Sequence, residues 1–307
     1  MTASYALALN AAHEAAAAQH YPQGTLYVVA TPIGNLADIS LRALHVLALA
    51  DAIACEDTRH TQALLRAYGI DKAAAQLISV HQHNEAEASQ TIVQWLQQGR
   101  RIAYASDAGT PAVSDPGARL VAIVRAAGFG AVPLPGASSI TAALSVAGIV
   151  AAGGQDSGFV FAGFLPAKAL ERDAAVQQLA SEPRSVVLLE APHRIEALAR
   201  ALAVLGPRPV TVARELTKQF EEVATVEAAN LAQWFADGPQ RTRGEFVVLL
   251  HPAAVAARSG DEQRILQLLL AELPLKTAVR LTAEITGAAR NTLYEAALEL
   301  KAGGSGG

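Results

Sequence analysis

Within five residues, Glu56-Asp57-Thr58-Arg59-His60 collects two carboxylates, a hydroxyl, a guanidinium and an imidazole. Arg59 can offer a planar donor fork to an anionic substrate while Glu56 or Asp57 holds that fork in place. The same residue types also begin helices: Asp57 or Thr58 can cap one, and acid suits the positive end of the helix dipole. Two later runs, Glu190-Ala191-Pro192-His193-Arg194 and Ala213-Arg214-Glu215-Leu216-Thr217-Lys218, each deliver charge directly after an apolar stretch. One such run is an ordinary exposed ion pair. Two at equivalent places point to a shared cleft. Gly244-Glu245-Phe246 opens a further apolar run, with Glu245 either pairing with a nearby arginine or lining the cleft.

Three turns rich in Gly, Pro and small polar residues accompany these charges: Thr31-Pro32-Ile33-Gly34-Asn35, Ser106-Asp107-Ala108-Gly109-Thr110-Pro111 and Pro135-Gly136-Ala137-Ser138-Ser139. Each follows a short apolar run. In an open α/β fold, ligands bind outside the carboxyl ends of the strands, where such turns cluster. The second turn continues through Ser114-Asp115-Pro116-Gly117, longer and denser in turn residues than a connector needs. Asp107 suits a ribose or amine donor, and Ser138 and Ser139 stand where a helix N-terminus would cradle a carboxylate or ribose, or where they would simply cap it. None of the turns reads G-x-G-x-x-G, so the common dinucleotide fingerprint is absent.

The elements that must position these residues follow from periodicity. Strands are expected at Leu26–Ala30, Ala52–Cys55, Leu77–Val80, Arg101–Ala105 and Ala131–Leu134, with helices between them, a βαβ rhythm forming one doubly wound domain over 22–150. A second α/β domain over 151–253, entered by a linker at Ala151–Gly158, takes strands near Phe159–Phe164, Val186–Glu190, Val210–Arg214 and Phe246–Leu250, with a hairpin strand at Glu222–Val226. Residues 260–302 are helical, broken at Pro274 and Gly287, and 303–307 read as a flexible tail. Residues 1–21 are Ala-rich without a cationic start, unlike a secretory signal; they read as a disordered extension.

With 307 residues, 51% of them hydrophobic, the chain can build two cores, and no apolar run nears the roughly 18 residues of a membrane span. A single cysteine, Cys55, makes no internal disulfide, which suits a cytoplasmic setting, and the scattered histidines show no metal spacing. A formal net charge of −4 leaves any nucleic-acid role to a local patch.

Taken in order, the five motifs from Gly24-Thr25-Leu26-Tyr27-Val28-Val29-Ala30-Thr31-Pro32-Ile33-Gly34-Asn35-Leu36 to Ala213-Arg214-Glu215-Leu216-Thr217-Lys218 closely resemble the ribosomal RNA small-subunit methyltransferase I family, over about Gly24 to Lys301. That family lies in the tetrapyrrole methylase superfamily. The resemblance implies two α/β domains with S-adenosylmethionine in the cleft between them, a small C-terminal helical appendage, homodimers, no metal, and 2′-O-methylation of a cytidine ribose in the decoding centre of 16S rRNA within the small subunit. It carries cofactor contacts to Pro32, Ala105, Ser106, Asp107, Thr110, Ser138, Ser139, Glu190 and Leu216. Ala191 departs from the family's Glu-Ser-Pro-His-Arg form.

On that resemblance, Glu56, Asp57 or a Lys218 of lowered pKa is the candidate base, and Arg59, Arg194, Arg214 and Lys218 are expected to bind RNA phosphates. Lys276, Arg280, Arg290 and Lys301 lie among acids in the C-terminal helices, either a helix-turn-helix-like RNA clamp or a packing element. Two other functions fit the same residues: a corrin or porphyrin C-methyltransferase, and a non-catalytic RNA-binding assembly module.

Overall fold

Side chains alternate along Leu26-Tyr27-Val28-Val29 and Ile102-Ala103-Tyr104, and all are apolar, so each strand presents two faces that must both be covered. The computed structural model, which describes residues 5–81, 84–113, 117–150, 158–253, 259–286 and 288–303, shows that cover. The first half runs α1 (Ala6–Ala16), β1 (Thr25–Val29), α2 (Leu41–Leu49), β2 (Ala52–Cys55), α3 (Thr58–Ala67), β3 (Leu77–Ser79), α4 (Glu85–Gln97), β4 (Ile102–Ala105), α5 (Ala118–Ala126), β5 (Gly130–Leu134) and α6 (Ser139–Val146). Its five strands pair in parallel in the order β3-β2-β4-β1-β5. Tyr27, Val29, Ile53 and Ala103 pack with Leu44, Leu47 and Leu65 on one face. Leu26, Ala54, Ile102 and Tyr104 meet Ile92, Leu96, Leu120 and Val124 on the other.

The second half continues with β6 (Phe159–Gly163), α7 (Ala169–Leu179), β7 (Ser185–Glu190), α8 (Ile195–Leu202), β8 (Pro209–Arg214), β9 (Glu222–Glu227), α9 (Leu231–Ala236) and β10 (Phe246–Leu250), the strands ordered β6-β7-β10-β8-β9. On α8, Ile195, Leu198, Ala199 and Leu202 are buried. This i, i+3, i+4, i+7 stripe packs against one face of the sheet. The opposite face is covered by α6, whose Ile140 and Ala143, with Ala147 just past its end, pack with Val187, Ala213, Val247 and Leu249. The helix that leaves the first sheet thus closes the core of the second.

This second sheet is mixed rather than mainly parallel. Only β6 and β7 pair in parallel; β10 is antiparallel to both β7 and β8, and β9 forms a hairpin with β8. The reversal matters for the site, because Phe246 stands opposite both Glu190 and Arg214. Two carboxyl strand ends and the start of β10, with Glu245, therefore share one edge.

The expectation of a disordered extension over 1–21 is overturned for its described part. Ala12 and Ala16 of α1 are buried, Tyr21 is 7% exposed, and Tyr5 lies 5.7 Å from the Tyr68 ring. The stripe is built from alanines, which supply close packing rather than large apolar area.

The chain divides into two compact units, Met1–Pro252 and Ala253–Gly307. The second contains α10 (Ser259–Glu272), α11 (Leu275–Thr286) and α12 (Arg290–Gly303) around Leu266, Val279, Leu293 and Ala297. Pro274 sits between the first two helices. Gly287, the linker apart from Gly158, Ser114-Asp115-Pro116 and the tail from 304 onward lie outside the described residues. Among the described residues no helix is long and apolar enough to cross a membrane.

Candidate functional site

The turns that leave β1, β2, β4 and β5 are bonded to one another. Thr31 and Gly109 exchange backbone hydrogen bonds of 2.9 and 3.0 Å. The Thr31 hydroxyl donates to the Ser106 carbonyl at 3.1 Å, and the Thr110 hydroxyl to the Ala137 carbonyl at 3.1 Å. The Asp57 N–H donates to Asp107 Oδ1 at 3.3 Å, while the Asp107 N–H donates to Glu56 Oε1 at 3.4 Å. Gly136 lies against β1 so closely that a Cβ there would stand 2.8 Å from the Ala30 Cβ. Beyond the long second turn, Glu85 reaches across from α4: its Oε1 accepts from the Gly117 and Leu120 N–H groups at 3.1 and 3.3 Å and caps α5.

The second half meets this floor through the loop after β8. A Cβ on Gly34 would overlap Lys218 Cγ and lie 3.1 Å from Thr217 Oγ1, so any larger residue there would have to displace the Lys218 side chain. Glu215 and Thr217 adopt φ of 52° and 67°, a left-handed geometry costing roughly 1–2 kcal/mol per non-glycine residue. Surrounding bonds hold it. The Glu215 N–H donates to the Glu245 carbonyl at 3.0 Å, the Thr217 N–H donates to Glu221 Oε2 at 2.6 Å, and Lys218 Nζ donates to Glu215 Oε1 and Glu245 Oε2 at 2.8 and 2.9 Å.

Between the halves lies a cavity of about 380 Å³. From the first half it is walled by Ile33, Gly109, Thr110, Ser138 and Ser139; from the second by Phe164, Leu189, Glu190, Ala213, Leu216, Glu245 and Phe246, among others. Of the expected contacts, Thr110, Ser138, Ser139, Glu190 and Leu216 stand on this wall. Pro32, Ala105, Ser106 and Asp107 do not, and Ala105 and Ser106 are buried beneath it. Ser138 takes the N-cap position of α6 without a side-chain capping bond. Glu190 is tightly held: its side chain is 1% exposed, Oε1 accepts from the Ala191 N–H at 2.9 Å, and Oε2, itself buried, has no hydrogen-bond partner among the described residues. Leaving such an oxygen unsatisfied costs about 1–3 kcal/mol.

Several charged residues stand differently from their sequence reading. Arg214 is buried, donating to the Gln240 and Arg243 carbonyls and pairing with Glu222 at 3.2 Å. Arg194 Nη2 donates to the Leu165 carbonyl, and its Nε lies 3.1 Å from Glu190 Oε1. Both guanidiniums close structural joints. Burial alone would lower the Lys218 pKa, but its hydrogen bonds to Glu215 and Glu245 outweigh that and raise it, the opposite of the lowered pKa expected of it. Asp57 caps α3 through the Arg59 N–H at 2.8 Å and grips the Arg59 side chain, which holds its carboxyl down to about 2. Arg59 itself is 90% exposed along its side chain. Desolvation pushes the Cys55 thiol up to about 11, and among the described residues no group of three or more His, Cys, Asp or Glu side chains could hold a metal.

Sequence reasoning left Phe164, Leu189 and Phe246 unassigned. Leu189 and Phe246 sit at ends of paired strands, a position readable only once the pairing is known, and nothing in the sequence distinguishes Phe164 from a core phenylalanine.

The model of the Tetrapyrrole (Corrin/Porphyrin) Methylases matches residues 25–232, and that of the RsmI C-terminal HTH domain matches residues 256–301. The ribosomal RNA small subunit methyltransferase I of Escherichia coli O157:H7 is 46% identical over 281 residues, covering 90% of this chain and 96% of that protein. Among solved structures, a cobalt precorrin-4 methyltransferase of cobalamin biosynthesis superposes with a TM-score of 0.55 at 16% identity, covering 75% of this chain and 98% of its own. The uroporphyrin-III C-methyltransferase of Thermus thermophilus, complexed with S-adenosylhomocysteine, gives 0.50 at 18% identity, covering 74% and 97%. These two likenesses concern the fold.

Proposed function

The chain belongs to the ribosomal RNA small subunit methyltransferase I family, within the tetrapyrrole methylases, and from that premise we propose that it methylates rRNA with S-adenosylmethionine held in the cavity between its two sheets. The finer reading is 2′-O-methylation of a cytidine ribose in the decoding centre of 16S rRNA, on the small subunit. The observation that carries the cofactor is the cavity itself, walled from both halves, with Thr110, Ser138 and Ser139 on one side and the apolar Leu189, Ala213, Leu216 and Val247 on the other. A wall with hydroxyls on one side and apolar groups on the other suits an adenosyl ligand, which presents a flat ring together with hydroxyl and amino groups.

When bound, S-adenosylmethionine supplies a methyl group activated on sulfur. The chain's task is to align that carbon with an incoming sugar oxygen and keep competing water away, a positional effect of up to about 7–11 kcal/mol. The linked turns from β1, β4 and β5 form a floor with little freedom, which suits that task. The proton leaving the sugar hydroxyl needs an acceptor. Asp57 is held near 2 by Arg59 and Lys218 stays charged, which leaves Glu56 of the three candidates. Arg59, gripped by Asp57 and open to solvent, is the cation positioned for an RNA phosphate. The C-terminal helices, matched to a helix-turn-helix model, are taken as the second RNA contact. On the same reading the lobes are 22–150 and 151–253, the protein acts in the cytoplasm, and it functions as a homodimer.

Incubating the protein with unmethylated small subunits and labelled S-adenosylmethionine, then mapping ribose methylation, tests the proposal. A single 2′-O-methylated cytidine is expected. Label in a base, or none in rRNA, refutes it.

A further inference from the structure

Arg194 touches two different pieces of the cavity wall. Its Nε stands beside Glu190 Oε1 at the end of β7, and its Nη2 donates to the carbonyl of Leu165 in the loop after β6. That loop carries Phe164, which walls the cavity yet is 52% exposed, an unusual position for a large apolar ring. One guanidinium at the start of α8 therefore ties together a carboxylate and an aromatic ring delivered by separate strands.

We propose that Arg194 is a positioning residue for the nucleoside half of the adenosyl ligand: anchored on the carboxylate that ends β7, it fixes the loop after β6 and so holds Phe164 as a cover for the purine face. This rests on the methyl-donor reading above. Three observations favour it. Arg194 engages both its neighbours from a side chain only 23% exposed, so it is poorly placed to reach a phosphate. Glu190 is buried, with Oε1 accepting from the Ala191 N–H and standing 3.1 Å from Arg194 Nε, so it is a fixed anchor for the guanidinium. Around Glu190 the wall is apolar, formed by Leu189, Ala213, Leu216 and Val247, which suits a flat ring better than a carboxylate-bearing amino acid.

Calorimetric titration of the full chain with S-adenosylhomocysteine and with 5′-methylthioadenosine, which keeps the nucleoside but lacks the amino acid, separates the possibilities. Arg194→Lys is expected to weaken both ligands by the same factor, about tenfold or more as one charge-assisted bond is lost. Glu190→Gln should do likewise, and the double variant should lose less than the product of the two single losses. Phe164→Ala, a change at an exposed ring that leaves the core intact, should also weaken 5′-methylthioadenosine. Unchanged affinities in Arg194→Lys overturn the proposal, as do losses confined to S-adenosylhomocysteine or losses that simply multiply. If Arg194→Lys does not fold, Phe164→Ala and Glu190→Gln decide: wild-type affinity for 5′-methylthioadenosine in both overturns it. Wild-type protein that binds neither ligand would instead sink the methyl-donor reading itself.

Discussion

Gly136→Ala is the sharpest probe of the floor on which the site is built. Its φ is ordinary, so the substitution adds no backbone strain, only a methyl group. That methyl would stand 2.8 Å from the Ala30 Cβ and 3.4 Å from the Ala30 carbonyl, neighbours that belong to rigid backbone and cannot rotate aside. Overpacking of this kind costs about 1–3 kcal/mol. For a cooperative unit near 250 residues this corresponds to a fall in Tm of about 2–12 °C. Because the strained turn carries Ser138 and Ser139, S-adenosylhomocysteine should also bind more weakly. The clash lies between two methyl groups, so Ala30→Gly should remove it: added to Gly136→Ala, it should recover most of the loss, with a coupling of about 1–3 kcal/mol between the two sites. Thermal unfolding of the four proteins, read beside ligand titration, gives the cycle. A Gly136→Ala protein with wild-type Tm and affinity, or a strictly additive cycle, would refute the packing argument.

Other outcomes follow from the charges. Burial lowers the pKa of His45 and of His251, so the folded chain takes up protons at these sites only at lower pH than the unfolded chain, which does so at about 6.5. Stability should therefore decline as pH falls through that value, and His251→Gln should flatten the decline measured by denaturant unfolding between pH 7.5 and 5.5. Cys55, buried and with its thiol pushed up to about 11, should resist iodoacetamide in the native protein at pH 8 and react only on unfolding, as read by mass spectrometry. Glu85→Ala should lower Tm through loss of the α5 cap, by an amount worth about 1–2 kcal/mol, while Glu85→Gln, whose amide oxygen can still accept, should lose less.

The strand ends that carry the site were legible because turn chemistry is local. Ala52–Cys55 and Phe246–Leu250 run as their apolar periodicity dictates, and the antiparallel Glu222–Glu227 strand follows from a short alternating segment. What failed depends on partners distant in sequence. The sequence places Arg214 at a strand end but is silent on Gln240 and Arg243, whose carbonyls enclose it. Lys218 has Glu215 nearby, yet its pKa rises also because Glu245, 27 residues on, closes the other side. The direction of β10 was equally hidden, since an all-apolar strand reads the same in either sense. Helix α1 escaped notice because its buried positions are alanines, whose small side chains leave a faint apolar stripe.

The fate of the cations constrains how RNA can be held. Of four candidates, Arg194 and Arg214 are committed to internal joints, and Lys218 is flanked by two carboxylates. Arg59 alone remains open, with one face already taken by Asp57. A single arginine removes roughly 0.7–0.9 from the slope of log affinity against log salt when it gives up its phosphate. Arg59→Ala should therefore reduce that slope for small-subunit binding by about one contact at most, and leave S-adenosylhomocysteine affinity unchanged. Removing residues 256–307 should reduce the slope further while sparing the ligand, because the adenosyl cavity is built entirely within 1–252. Filter binding over a range of salt measures both. If Arg59→Ala alone abolished the salt dependence, the RNA would be read at the mouth of the cavity, and the C-terminal helices would have no part in holding it.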